Sequence, residues 1–236
     1  MARIQGVLQD PLLSVVMPAF NEAGTIDEMV RRVLRVPLRT QLIVVDDGST
    51  DGTRERLQEL QRELGFTLLL QASNQGKGAA LRRGFEAVRG DLVVIQDADL
   101  EYSPEEFPML IELIREGRAD VVYGSRFLGR HRVFLFSHYL GNRLLTLLTN
   151  ILYNTMLTDM ETCYKVMRAE VLRSMTLRSS GFGIEPELTA KIFKRGYRVY
   201  EVPITYDGRG YDEGKKIGWR DGVVALWVLL RYRFSE

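Results

Sequence analysis

The feature that most constrains this chain is its first 125 residues, where short apolar runs alternate with amphipathic stretches. Residues 12–17, 42–45, 66–70, 92–95 and 121–123 are Val-, Ile- and Leu-rich runs of three to six residues. Such runs suit strands buried on both faces of a parallel sheet. Helical patterns separate them. Ile26, Met29, Val30, Val33 and Leu34 recur at one helical face, with Thr25 and Glu28 in a capping-box pattern. Leu57, Leu60 and Leu64 mark a second helix, residues 77–88 a third and residues 104–115 a fourth. The expected class is α/β: a mostly parallel, twisted, Rossmann-like sheet flanked by helices. Ligands of such sheets bind beyond the carboxyl ends of the strands, here just after Met17, Val45 and Ile95.

Polar groups gather at those three places. Pro18-Ala19-Phe20-Asn21-Glu22 follows the first strand, and the run 46–52 (Asp-Asp-Gly-Ser-Thr-Asp-Gly) follows the second. Asp97-Ala98-Asp99 follows the fourth, with Glu101 close behind. Each alone reads as a turn and helix cap. Three together read as one cleft built from three strand ends. Carboxylates two apart at a strand end suit a hard divalent cation with diphosphate oxygens and water, favouring Mg²⁺ or Mn²⁺ over zinc. The run 74–80 (Asn-Gln-Gly-Lys-Gly-Ala-Ala) resembles a phosphate-cradling loop at a helix start. It matches neither a Walker A sequence nor G-x-G-x-x-G, whose last glycine is Leu81 here.

The second half changes character. Residues 121–158 contain no Asp or Glu but hold Arg126, Arg130, Arg132, Arg143 and both histidines, His131 and His138. Leu140, Leu144, Leu147, Leu148, Ile151 and Leu152 recur at helical spacing. Residues 184–194 read as a further helix, 198–204 as a strand, 208–218 as a glycine-rich loop with Lys215 and Lys216, and 219–234 as an apolar helix ending in arginines. The whole is expected to be one domain over 1–236, its donor and metal half at about 12–127 and its acceptor half at about 128–236. The chain has 32 basic and 31 acidic residues, net charge +1, so no global field recruits nucleic acid. Cys163 is the single cysteine and fits a reducing compartment. No secretory leader and no run of about 20 apolar residues is visible. The expected location is cytoplasmic, peripheral on the inner face of the cell membrane.

Taken in order and spacing, residues 18–22, 46–52, 74–80, 97–99 and Gly124-Ser125-Arg126-Phe127 resemble a family 2 glycosyltransferase of the GT-A fold. The later segments 161–165, 181–187 and 208–218 point to its dolichyl- or polyprenyl-phosphate sugar synthase branch. The resemblance implies that Pro18, Phe20, Glu22, Val45, Asp47, Lys77, Asp97, Ala98 and Asp99 bind the nucleotide-sugar donor. It implies Asp97, Asp99 and Glu101 as metal ligands, and Asp99, Arg126, Arg209 and Lys215 as catalytic. Arg126, Arg143 and Lys165 would hold the acceptor phosphate. Relatives often have Gln where this chain has Glu101, and Gly-Phe-Lys/Arg where it has Cys163-Tyr164-Lys165.

The implied reaction is inverting, metal-dependent transfer of a sugar from a GDP-mannose or UDP-glucose type donor to a polyprenyl phosphate. Anionic membranes attract basic segments by about 1 kcal/mol per Lys or Arg. The acid-free stretch and the two apolar helices are therefore the expected membrane contacts, with a membrane-embedded partner or a homo-oligomer as alternatives. Rival readings are transfer to a soluble hydroxyl, with Glu185 or Glu187 as base, a catalytically silent nucleotide-sugar-binding module, and a nucleotidyltransferase.

Overall fold

The computed structural model describes residues 6–132, 135–208 and 218–235. Seven strands form one sheet in the order β3-β2-β1-β4-β6-β5-β7. They are β1 (Leu13–Ala19), β2 (Thr40–Asp46), β3 (Thr67–Leu70), β4 (Leu92–Ile95), β5 (Val121–Ser125), β6 (Lys165–Arg168) and β7 (Val199–Pro203). All neighbours are parallel except β6, which runs antiparallel between β4 and β5. The apolar runs are strands because both their faces are covered: Val15, Val16, Met17, Ile43, Val44, Val45, Leu92, Val94 and Ile95 are all fully buried.

The helices are α1 (Ile26–Arg35), α2 (Thr53–Leu64), α3 (Lys77–Glu86), α4 (Phe107–Arg115), α5 (Phe136–Tyr153), α6 (Ala169–Arg173), α7 (Ile184–Lys194) and α8 (Trp219–Phe234). The fourth expected helix opens as a single 3-10 turn, Pro104–Glu106. Proline at 104 and again at 108 cannot donate to preceding carbonyls, so the regular helix starts late. The third helix ends at Glu86, two residues before the expected boundary.

Two elements escaped the sequence reading. The strand β6 is four residues with a charge at each end, Lys-Val-Met-Arg, and α6 is one short turn behind it. The expected capping box at α1 does not form. The Thr25 hydroxyl donates instead to the Ala98 carbonyl at 2.8 Å and reaches Glu22 Oε2 at 3.1 Å. That side chain therefore ties the first strand end to the fourth.

The chain runs outward from β1 through β2 to β3, then crosses back to place β4 on the other side of β1. The order in which strands are added reverses there, which opens a crevice at the carboxyl ends. The register aligns Ala19 with Asp46 and Val16 with Ile95, so the three polar segments emerge side by side. No helix among the described residues is long and apolar enough to cross a membrane.

Candidate active site

The first two strand ends are laced together by local hydrogen bonds. The Asn21 N–H donates to Ser49 Oγ at 3.0 Å, Glu22 N–H to Thr53 Oγ1 at 2.8 Å, and Thr50 N–H to Asn21 Oδ1 at 2.9 Å. Asn21 takes a left-handed backbone (φ 52°) to make this turn. Pro18, Phe20 and Asn21 keep some exposure and line the rim, Glu22 is nearly buried, and Val45 is fully buried in β2 beneath.

Asp47 shapes the wall. It is buried, and its Oδ1 accepts from Gln71 Nε2 at 2.6 Å and Gln75 N–H at 2.8 Å. Its Oδ2 accepts from Gly76 N–H at 2.8 Å. This carboxylate thus holds the 74–78 loop against the sheet. The loop needs its glycines: a Cβ on Gly76 would lie 2.5 Å from the Ser180 carbonyl oxygen, and one on Gly78 would lie 2.5 Å from that of Ser179. The Ala79 N–H donates to the Ser180 carbonyl at 2.9 Å. The start of α3 is thereby locked to the segment leading into α7.

That lock delivers Lys77. Its Nζ sits 2.8 Å from Asp97 Oδ1 and 2.8 Å from Glu185 Oε1, bridging the fourth strand end to α7. Burial disfavours its charge, but Asp97 and Glu185 outweigh that and hold the ammonium well above its ordinary range. Lys77 is therefore a fixed positive charge beside the Asp97–Asp99 turn. Leu100 adopts φ 63° and reverses the chain, so that Asp99 Oδ1 accepts from the Glu101 N–H at 3.2 Å.

The expected three-carboxylate metal set is not assembled as such. Among the described residues no three His, Cys, Asp or Glu side chains converge to hold a metal. Asp97 is paired with Lys77, and Glu101 Oε2 accepts from the Tyr206 hydroxyl at 2.7 Å. Glu101 thus anchors the segment after β7. Asp97 and Asp99 supply hard oxygen donors, which suits a cation that takes one or two carboxylates and completes its shell with substrate oxygens.

Arg126 follows β5 and is buried. Its guanidinium clasps Asp159 through Nε at 2.7 Å and Nη2 at 2.8 Å, and lies over the Tyr206 ring at 5.2 Å. Glu201 on β7 holds the Asp159 turn by accepting from the N–H groups of Thr158 and Asp159. Arg143 is exposed on α5, with Nη1 3.4 Å from the Thr158 carbonyl, so it stands beside the same turn.

Lys165 departs from its expected role as an acceptor-phosphate ligand. It is fully buried in β6, and its Nζ donates to the carbonyls of Met160 and Thr162. Burial pulls its pKa below the ordinary lysine value. Glu187 is likewise structural rather than a base: it is buried, pairs with Lys191 and accepts from the N–H groups of Arg178 and Ser179. Glu185 is committed to Lys77 through one oxygen only. His131 is exposed, with Nδ1 3.0 Å from the Gly129 carbonyl oxygen, and His138 is half-buried on α5. Arg209 and Lys215 lie outside the described residues.

Residues 14–176 match glycosyl transferase family 2. A dolichol-phosphate mannosyltransferase of Pyrococcus furiosus is 31% identical over 212 residues, covering 87% of this chain and 59% of that protein. An undecaprenyl-phosphate mannosyltransferase of Micrococcus luteus is 31% identical, covering 93% of this chain and 98% of that protein. This chain thus spans less than two thirds of the Pyrococcus protein and nearly all of the Micrococcus one. In fold, a Mycobacterium tuberculosis glucosyl-3-phosphoglycerate synthase crystallised with Mn²⁺, UDP and phosphoglyceric acid superposes with a TM-score of 0.75. The two are 24% identical, over 96% of this chain and 80% of that one. The fold is that of the GT-A enzymes, and the family match makes the chain a glycosyltransferase. The chain belongs to glycosyl transferase family 2.

Proposed function

We propose that this enzyme transfers a sugar, with inversion, from a nucleotide-sugar donor to a polyprenyl or dolichyl phosphate at a membrane surface. The observation that carries the reading is the continuity between cleft and apolar surface. Arg126 pairs with Asp159, the next residue back is Thr158, and Arg143 reaches Thr158 from α5. The outer face of α5 is a stripe of exposed apolar side chains: Phe136, Leu140, Leu144, Leu147 and Ile151. The relatives named above act on lipid phosphates of this class.

The chemistry follows from the residues. Pro18, Phe20, Glu22 and the loop held by Asp47 would form the nucleotide side, with the buried Val45 packed beneath them rather than lining it. Asp99, with Asp97 beside it, would hold Mg²⁺ or Mn²⁺ on the diphosphate side. When bound, the cation stabilises negative charge on the leaving group as a Lewis acid. Lys77 adds a fixed positive charge at the same place. A phosphate monoester, with a second pKa near 6, is largely dianionic at neutral pH and attacks without a base. Arg126 and Arg143 then orient it rather than deprotonate it.

The test is a donor panel with Mg²⁺ or Mn²⁺: GDP-mannose, UDP-glucose and UDP-N-acetylglucosamine, each with and without a short polyprenyl phosphate. Transfer that appears only with the lipid phosphate, and disappears with a metal chelator, is expected. Transfer to a soluble hydroxyl compound at equal rate without lipid would overturn the acceptor assignment.

A further inference from the structure

Two buried carboxylate oxygens near the reaction centre have no hydrogen-bond partner: Glu161 Oε1 and Glu185 Oε2. A buried acceptor left without a donor is destabilising, and native interiors hold few of them. Glu185 is 3% exposed. Its other oxygen is 2.8 Å from Lys77, which is in turn 2.8 Å from Asp97. Its carboxylate is therefore one ammonium group removed from the turn assigned to the diphosphate. Glu161 lies in the turn before β6. Lys165 Nζ binds the carbonyls of Met160 and Thr162, the residues on either side of it. That buried ammonium clamps the turn and so fixes where the Glu161 carboxyl stands.

The two carboxyls feel each other. Burial first, then the nearby Glu185 charge, push Glu161 up to about 7, against the opposing pull of Lys165 and Arg126. Glu185 belongs to the Lys77–Asp97 cluster on the donor side, and Glu161 follows Asp159, the partner of Arg126 on the acceptor side, by two residues. In a sugar transferase the group between a diphosphate and an attacking phosphate is the sugar. Its hydroxyls are the donors that two orphaned carboxylate oxygens lack.

We propose that Glu161 and Glu185 bind the hydroxyls of the transferred sugar and set sugar specificity. This rests on the sugar-transfer reading above. A site built to bond a hydroxyl rejects the analogue lacking it, because its polar group is left unpaired.

The experiment compares wild type, Glu161→Gln and Glu185→Gln by titration calorimetry with Mn²⁺. The probes are GDP, UDP, GDP-mannose and UDP-glucose. Both variants should keep nucleoside diphosphate affinity within about twofold and lose tenfold or more for the matching nucleotide sugar. Donors deoxygenated at successive sugar positions give the second readout. One deoxy donor should bind wild type as weakly as a variant, with no further loss when the two changes are combined. Equal weakening toward diphosphate and nucleotide sugar would show a merely structural role and overturn the proposal, as would unchanged affinity for both. A wild type that binds none of the four probes would instead sink the sugar-transfer reading, and this inference with it.

Discussion

At the residue scale, the site is a set of buried charges, several of them held in close ion pairs. The Arg126–Asp159 pair shows what this implies for substitution. Both side chains are buried, and the guanidinium spends two N–H groups on the carboxylate. Removing one member leaves the other charged in a low-dielectric place, which costs about 3–5 kcal/mol. Asp159→Ala should therefore lower the thermal midpoint by roughly 10 °C in a chain of this size, read by circular dichroism. Asp99→Asn should behave in the opposite way. That side chain is partly exposed, so the midpoint should hold while metal-dependent turnover falls at least a hundredfold. Near-normal turnover would remove Asp99 from the metal assignment.

Glu161 adds a pH signature. Its carboxyl rises from an ordinary 4.5 to about 7 on folding, so the folded chain binds the proton more tightly than the unfolded one. The associated stability is fully present below about pH 4.5 and is lost as pH rises through 7. Glu161→Gln has no such loss. Its stability relative to wild type, from urea unfolding, should rise by up to about 3 kcal/mol between pH 5 and pH 8. A flat difference would mean that Glu161 is not held in its neutral form. None of this was legible beforehand. Asp97 and Asp99 announce themselves by following a strand, whereas Asp159 gains its meaning from a partner 33 residues away and from Glu201, 42 residues on. Lys165 misled because the resemblance alone gave it an acceptor role, at a place where this chain departs from the family's pattern, and β6 carries it inside.

At the scale of elements, periodicity was a good guide wherever a helix or strand was long enough to show it. The helices α7 and α8 occupy the residues that their patterns mark. The strand β6 is too short to display a period, and it runs antiparallel to both neighbours, outside the pattern of the parallel strands. Within α3, Gly84 invites a reading as close packing, and the structure supplies the contact. A Cβ there would lie 2.4 Å from Val16 Cγ1 and 3.2 Å from Val45 Cγ2. The bare backbone is what lets α3 sit down on β1 and β2. Since α3 begins at Lys77, its height above the sheet sets the position of the ammonium. Gly84→Ala gains roughly 1 kcal/mol of helix propensity but overpacks by about 1–3 kcal/mol against stiff β-branched neighbours. The expected result is a net loss of stability of about 1 kcal/mol, with turnover reduced more than stability would suggest. A stabilised and fully active Gly84→Ala would show that α3 tolerates the shift.

At the scale of the whole molecule, the notable imbalance is between a densely satisfied cleft and an unsatisfied apolar surface. The helix α8 packs on α7 and α5, and the Tyr153 hydroxyl donates to the Leu229 carbonyl at 2.7 Å, fastening α5 to α8. Their outer faces then present two adjacent stripes. On α5, Phe136 is 76% and Ile151 68% exposed; on α8, Val223, Trp227, Leu230 and Phe234 are exposed as well. Monomeric proteins seldom show so large an apolar area unless it has a partner. Arginines 143, 231 and 233 stand on the same helices. An apolar face edged by basic groups fits the interface of an anionic bilayer, where the proposed acceptor phosphate would also lie. Net charge of +1 means that any electrostatic attraction must come from this face and not from the molecule at large. Sedimentation with vesicles of phosphatidylglycerol and phosphatidylcholine should show binding that weakens several-fold between 50 and 500 mM salt, roughly as the screening length shrinks. Leu144→Ser with Trp227→Ser should weaken it further at every salt concentration while leaving transfer to a detergent-solubilised, short-chain lipid phosphate intact. Were the double variant to bind vesicles as wild type does, and to shift from dimer to monomer in analytical ultracentrifugation, the platform would belong to a second copy of the chain and not to the membrane.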